Sequence, residues 1–95
     1  MDSLGKKFLF KLIVETLTDI KLKNKNIIGA RKLRNILERN FGYGFSPNFL
    51  SHFISISLDW LAESGYLKLV KKNSPRKYLI PDDFVNKSKN IIIYF

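Results

Sequence analysis

Residues 46–67 read SPNFLSHFISISLDWLAESGYL and contain signals for both ends of one helix. Ser46 is a favoured N-cap, because its hydroxyl oxygen accepts a hydrogen bond from the first-turn amides, and Pro47 suits the first helical position. Gly65 ends the helix, since glycine tolerates the left-handed conformation common at helix C-termini. The spacing of apolar residues predicts these buried side chains: Phe49, Leu50, Phe53, Ile54, Ile56, Leu58, Trp60 and Leu61.

The same helix has a polar face. Its remaining residues recur at intervals of three and four, which places them along one side of the helix. They are Asn48, Ser51, His52, Ser55 and Asp59. We expect this face to meet a partner, and we interpret His52 as a polar surface residue rather than a catalytic base.

Two helices are predicted before this one, so it is the third of the chain. An amphipathic first helix is expected over Met1–Leu22, and a second over Ala30–Phe41, which the glycines of residues 42–44 terminate. A basic connector lies between them over residues 21–26, followed by a very short strand at Ile27–Ile28. The predicted buried residues are Leu4, Phe8, Leu9, Leu12, Ile13, Leu17 and Ile20 in the first helix, and Ala30, Leu33, Ile36 and Leu37 in the second.

After Gly65 the pattern changes to β-structure. Tyr66–Val70 and Tyr78–Ile80 predict two strands, since both are short, apolar and aromatic. Residues 71–77 between them have turn composition and dense positive charge. We therefore expect a β-hairpin with a basic tip.

The tail, residues 81–95, gives conflicting signals. Its Pro-Asp-Asp start suits a helix, whereas its end, residues 91–95, is apolar and β-prone, so no secondary structure is predicted for it. An apolar chain end needs cover, and it either folds back onto the domain of residues 1–80 or pairs across a two-fold axis. We predict a homodimer built through the first helix, the tail, or both.

Three helices followed by a basic hairpin resemble the winged helix-turn-helix family of DNA-binding domains. The resemblance covers roughly residues 4–80 and is carried by Trp60-Leu61-Ala62-Glu63-Ser64-Gly65-Tyr66-Leu67, where a leucine-rich helix stops at a glycine and passes directly into an apolar strand. It implies an α+β, mostly α fold, a three-helix winged helix-turn-helix with a C-terminal β-hairpin wing and an extra C-terminal segment. In style the composition is similar to that of small regulators of archaea and their viruses and plasmids. The family implies a double-stranded DNA-binding protein, a transcriptional regulator.

Positive charge is concentrated in the segments that such a fold sets against DNA. The chain carries 17 Lys and Arg against 8 Asp and Glu, and twelve of the 17 lie in residues 21–39 and 68–77. The net charge of +9 favours a polyanionic partner. The resemblance implies that the third helix enters the major groove, the second helix meets phosphates, and the wing reaches the backbone or minor groove. The implied contacts are Asn48, Ser51, His52 and Ser55 from the third helix, Lys23, Lys25, Arg31, Lys32 and Arg34 from the second helix and its connector, and Lys71, Lys72, Asn73, Arg76 and Lys77 from the wing.

The third helix departs from the commonest mode of base recognition. Between Asn40 and Leu67 there is neither Lys nor Arg, so the helix lacks the arginine contact to guanine. Asn48 can bond adenine, and the serines and His52 can bond several base edges. We therefore expect an affinity that is mostly electrostatic, with modest base readout.

Composition and motifs argue against several other classes. The chain has no cysteine, and a lone His52 cannot build a zinc centre, so neither metal nor cofactor is expected. No phosphate loop, nucleophile elbow or paired carboxylates with an evident base indicates an enzyme. The N-terminal apolar run lacks a signal-peptide cleavage site, and no run reaches the roughly 20 apolar residues that span a bilayer. The expectation is a cytoplasmic protein without a membrane partner.

Two other functions are compatible with these residues. A winged helix can serve as a protein interaction module in a replication or transcription assembly, in which case the charge is incidental. Binding of single strands or RNA requires aromatic side chains exposed on a sheet face, of which the short hairpin offers few. We expect most aromatic side chains in the core instead, namely Phe8, Phe10, Phe41, Phe49, Phe53 and Trp60. Tyr43 and Phe45 are expected either beneath the third helix or against sugar-phosphate.

Overall fold

A computed structural model describes residues 3–42 and 46–94 of the chain. The fold is α+β and mostly helical, and the described part holds four helices and one antiparallel sheet of three strands. Leu4, Tyr43 and Phe45, whose environments the sequence predicts, lie outside the side chains described. In chain order the elements are α1 (Ser3–Leu22), β1 (Ile27–Ile28), α2 (Ala30–Phe41), α3 (Pro47–Glu63), β2 (Lys68–Lys71), β3 (Lys77–Leu79) and α4 (Phe84–Tyr94).

Helix α3 begins and ends where its local signals predict. The Ser46 hydroxyl oxygen accepts a hydrogen bond from the Phe49 amide at 3.2 Å, and Pro47 occupies the first turn. At the other end Gly65 has a φ of +86°, the left-handed region in which a side chain is unfavourable. The third helix is therefore confirmed, with its polar cap at one end and its glycine at the other.

The sheet has the strand order β1-β3-β2, with both pairs antiparallel. The short strand β1 pairs with β3, which places Ile27 opposite Leu79, and the Ile80 amide donates to the Asn26 carbonyl at 2.7 Å. Strand β2 begins later than Tyr66, where the sequence pattern places it. The reason is that the amides of Tyr66 and Leu67 both donate to the Leu61 carbonyl, so they belong to the end of α3.

One hydrophobic core joins all four helices and the sheet. Helix α4 packs against α1, and its Phe84 and Ile91 side chains are buried in the same cluster as the α1 leucines. The tail therefore folds back onto the domain, and as a helix, because burial on α1 outweighs the β-propensity of its isoleucines. The Lys21 ammonium fixes the turn before α4 by bonding the Asp82 carboxylate at 2.8 Å.

Two α3 side chains predicted in the core are instead largely exposed. Ile56 is 51% exposed, because it lies four residues after His52 and so shares the solvent side of the helix. Trp60 is 40% exposed, although its ring lies edge-on to Phe10 and stacks on Tyr66. The sequence located the polar face, but its continuous apolar pattern did not reveal how far the exposed side extends beyond the polar residues.

Helix α1 buries the described side chains predicted for its apolar side, except for Phe8. Phe8 is 59% exposed, whereas the buried ones are Leu9, Leu12, Ile13, Leu17 and Ile20. The cause is that α2, α3 and α4 all pack against α1, so a wide arc of this helix is covered and Phe8 falls just outside it. Phe41, at the end of α2, is also exposed rather than in the core.

Candidate functional site

Helix α3 presents its polar face to solvent. Asn48, His52 and Ser55 are exposed, and Ser51 and Asp59 are half-buried at the margins of the face. Three of the four side chains predicted to contact bases therefore lie on one accessible stripe. Ile56 lies beside this stripe, and the continuous apolar pattern of the sequence obscured its position.

Ser51, the fourth predicted base contact, is bound within the fold. Its hydroxyl accepts a hydrogen bond from Arg34 Nη1 at 2.8 Å. Arg34 Nε lies 3.8 Å from the Glu38 carboxylate and is buried without a hydrogen bond of its own. Arg34 was predicted to contact phosphate, but in this arrangement it joins α2 to α3.

An ionic cluster anchors the β2–β3 hairpin to α3. Arg76 Nη1 donates to both oxygens of the Asp59 carboxylate, at 3.1 and 3.0 Å, and the Tyr78 hydroxyl donates to Oδ1 of the same group. Arg76 was predicted as a phosphate contact of the wing, and the structure places it against α3. A sequence signal for this anchor existed, since Asp59 is the only acidic residue between Glu38 and Glu63.

The cluster changes the titration of Tyr78. The pKa of the Tyr78 phenol is raised to about 12 from an ordinary 10.0. Burial is the larger cause, and the hydrogen bond to the Asp59 carboxylate is the second. The residue is 3% exposed, so the ionised form lacks solvation by water. The anchor therefore stays protonated well above neutral pH.

We predict that the stabilisation provided by the Tyr78 anchor is lost in alkali. Below pH 10 the Tyr78 phenol is protonated in the folded and unfolded chains alike, so its contribution is constant. Between about pH 10 and 12 it ionises only in the unfolded chain, so its stabilisation falls by up to about 1.4 kcal/mol per pH unit. Urea unfolding from pH 8 to 11.5 measures this as a shrinking stability difference between the natural chain and Tyr78→Phe. A difference that is constant with pH would contradict the prediction.

The hairpin, α3 and the start of α2 enclose a groove of about 410 Å³. Arg31 of α2 lines one side, Ser55 of α3 lines the floor, and the turn at Ser74 and Pro75 lines the other side. The exposed stripe of α3 thus borders this groove at Ser55, and Arg31 and Arg76 are the cations that line it.

The hairpin exposes most of its predicted contacts. Lys71, Lys72, Asn73 and Arg76 are exposed, and Lys77 is half-buried. Lys77 lies over the start of α2, so that a Cβ atom at Gly29 would be 3.1 Å from the Lys77 Nζ. The small residue at position 29 therefore lets the hairpin approach α2 closely.

The predicted cations of α2 and its connector are divided between two surfaces. Arg31 lines the groove beside α3. Lys23, Lys25 and Lys32 line a different cleft, between α1 and α2. Successive residues of a helix are rotated by about 100°, so Arg31 and Lys32 point to different sides of α2.

Comparison with known proteins found no match, so a function is assigned from the geometry of this surface. No model of a known family, no curated protein and no solved structure matches the chain. Across residues 3–42 and 46–94, no three His, Asp or Glu side chains are grouped closely enough to hold a metal ion. None of the helices in those ranges is long and apolar enough to cross a bilayer.

Proposed function

We propose that this chain is a winged helix-turn-helix protein that binds double-stranded DNA and regulates transcription. Helix α3 enters the major groove, and the β2–β3 hairpin is the wing. The chain order α1-β1-α2-α3-β2-β3 and the sheet order β1-β3-β2 support this assignment, because a short strand before α2 secures the wing beside α3. Helix α4 is then an addition that covers α1.

The single observation that carries the proposal is the exposed polar stripe of α3 with cations of α2 and the wing beside it. Asn48, His52 and Ser55 are exposed, and Arg31 of α2 and Arg76 of the wing line the groove that Ser55 borders. Lys72 of the wing lines a second pocket, with Asp59 and Glu63 of α3. A helix is 10–12 Å wide with its side chains, which matches the roughly 12 Å width of the major groove. Cations on either side then meet the two phosphate strands that border the groove.

In this arrangement, affinity for DNA and recognition of its base sequence come from different residues. Arg31 and the cations of the wing bind phosphates and set the register, and the polar α3 side chains contact base edges. Ile56 adds an apolar side chain beside His52, suited to the methyl group of thymine. The Asp59–Arg76 ion pair holds the wing at a fixed distance from α3, so both contact the same duplex without ordering a loop first.

A homodimer remains part of this proposal. Two α3 helices about 34 Å apart meet successive major grooves of a palindromic site. Since α4 buries Ile91 within its own domain, the area available for dimerisation is on α1 and its surroundings, where Phe8 and Phe41 are exposed. Sedimentation of Phe8→Ser beside the natural chain tests the homodimer. A dimer that is lost in the variant supports an interface at α1, and a natural chain that is monomeric excludes the homodimer.

A protein interaction module is the second candidate, favoured by one observation. Ile56 and Trp60 are exposed on α3, and apolar side chains of this size are common at the centre of protein interfaces. The two candidates differ in their dependence on charge. Retention on an immobilised polyanion that falls steeply with salt supports DNA binding, and retention that is indifferent to salt supports the interaction module.

Replacement of Asn48 or His52 by alanine is predicted to relax sequence preference without unfolding the protein. Both side chains are exposed, so removal leaves the core intact, while each good base contact is worth about 1 to 3 kcal/mol of discrimination. Selection of bound sites from a random duplex pool, followed by thermal unfolding of each variant, measures both effects. An unchanged set of selected sites would exclude α3 as the reading element.

A further inference from the structure

We infer that the cleft between α1 and α2 binds a nucleoside monophosphate. This cleft, of about 260 Å³, is separate from the groove beside α3, and the DNA proposal assigns it no ligand. It lies between the C-terminal half of α1, strand β1 and the outer side of α2. The residues that line it are Thr16, Asp19, Ile20, Lys23, Lys25, Ile27, Ile28, Lys32, Ile36, Arg39 and Asn40.

Four cations line this cleft, and they come from two parts of the chain. Lys23 and Lys25 come from the connector after α1, and Lys32 and Arg39 come from α2, two turns apart. None of the four makes an ion pair with any residue in the described ranges 3–42 and 46–94. Asp19 is the one acidic residue of the lining, so the positive charges repel one another unless an anion neutralises them.

The inner surface of the cleft is apolar. Ile20 and Ile28 are buried there, Ile36 is half-buried, and Ile27 is 47% exposed although it belongs to a strand. Aliphatic side chains of this kind offer an apolar surface against which a nucleobase ring can pack. A phosphate ion alone leaves that surface in contact with water.

Polar groups at the edge of the cleft can orient a ligand. Asn40 offers an amide with both donors and an acceptor, and Asp19 offers a carboxylate that accepts from ribose hydroxyls or a base amine. The Thr16 hydroxyl donates to the Leu12 carbonyl at 2.7 Å, which leaves its oxygen able to accept. Cations for a phosphate, an apolar wall for a base and polar groups for a sugar are thus brought together.

The concave shape favours a small molecule over the backbone of a duplex. Phosphates of a duplex meet side chains that project from a protein, and they bring no ring to cover isoleucines at the base of a cleft. At about 260 Å³ the cleft is somewhat smaller than typical ligand pockets of roughly 300 to 1,000 Å³, so a ligand in it stays partly in contact with solvent. The inference does not depend on DNA binding, because the cleft and the α3 groove share none of their lining residues.

The test is a titration of the full chain with adenosine monophosphate, uridine monophosphate and inorganic phosphate at constant ionic strength. Binding is monitored by two-dimensional amide NMR. We expect either nucleotide to shift the amides of Lys32, Ile36 and Arg39 and to bind at least about tenfold more tightly than phosphate does. The double variant K32Q/R39Q is expected to weaken nucleotide binding at least about tenfold, as loss of charge-assisted hydrogen bonds implies.

The matched control is K6Q/K7Q, which removes two exposed lysines at the far end of α1 and is expected to bind nucleotide as the natural chain does. Circular dichroism of both variants verifies that they fold. Three results would overturn the inference: no shift with either nucleotide, phosphate binding as tight as nucleotide binding, or equal weakening by the two double variants. A duplex affinity that falls further in K32Q/R39Q than in K6Q/K7Q would assign the cleft to the DNA surface and overturn it as well.

Discussion

Ile54→Ala is expected to lower the free energy of unfolding by about 2 to 5 kcal/mol, and Leu61→Ala by a similar amount. Both side chains are fully buried where α3 meets the core, so truncation removes apolar contact and leaves a cavity. Since a domain of this size is stable by only about 5 to 15 kcal/mol, such a loss brings the protein close to unfolding.

Ile56→Ala is the matched control for this prediction, because it removes the same atoms two residues away. Ile56 is half exposed, so the expected loss is below about 1 kcal/mol. Urea unfolding of the three variants measures the contrast. Equal losses for Ile54→Ala and Ile56→Ala would mean that α3 is rotated relative to the orientation described.

The second large effect is expected on DNA affinity. The triple variant R31Q/K71Q/K72Q removes the α2 cation that lines the groove and two exposed cations of the wing. If each neutralises one phosphate, the variant loses about two to three orders of magnitude in duplex affinity at 0.1 M salt, because each phosphate contact contributes about 0.9 to the slope of log affinity against log salt. Fluorescence anisotropy with a labelled duplex measures the loss.

The control K6Q/K7Q/K11Q removes the same charge from the exposed side of α1. We expect it to reduce affinity far less, since these lysines belong to a helix outside the proposed DNA surface. Equal losses in the two triple variants would show that only total charge matters and that α3 is not the docking element.

Sequence alone predicted the elements of the fold whose signals are local. The Ser46-Pro47 start and the Gly65 end of α3 are set by neighbouring residues, so they could be recognised without tertiary information. The tail could not be assigned, because the helix of residues 84–94 depends on burial against α1. Propensity and packing favoured different structures there, and packing determined the result.

The candidate site was predicted less completely, because its key contacts join distant segments. Asp59 and Arg76 are 17 residues apart, as are Arg34 and Ser51, and no local pattern reports such pairs. Two cations predicted for phosphate binding therefore have structural partners as well. By contrast, the separation of Arg31 from Lys32 follows from helix geometry and was available in the sequence.

Trp60 illustrates a third limit of sequence reasoning. A large aromatic at helical core spacing was predicted to be buried, and its ring does pack on Phe10 and Tyr66. It remains 40% exposed because α3 has more apolar residues than the domain can cover. The number of apolar residues therefore overestimates the core on a helix that also has a solvent-exposed polar face.

The most direct test of the central claim, that this chain binds duplex DNA through phosphate contacts on either side of α3, is the salt dependence of its duplex affinity. With about five phosphates neutralised, the slope of log affinity against log salt is predicted to be near −4.5, from about −0.9 per phosphate. The same measurement on the single strands and on a matching RNA duplex is expected to give weaker binding, because α3 fits a B-form major groove. A slope shallower than about −2, or single strands bound as tightly as the duplex, would contradict the claim.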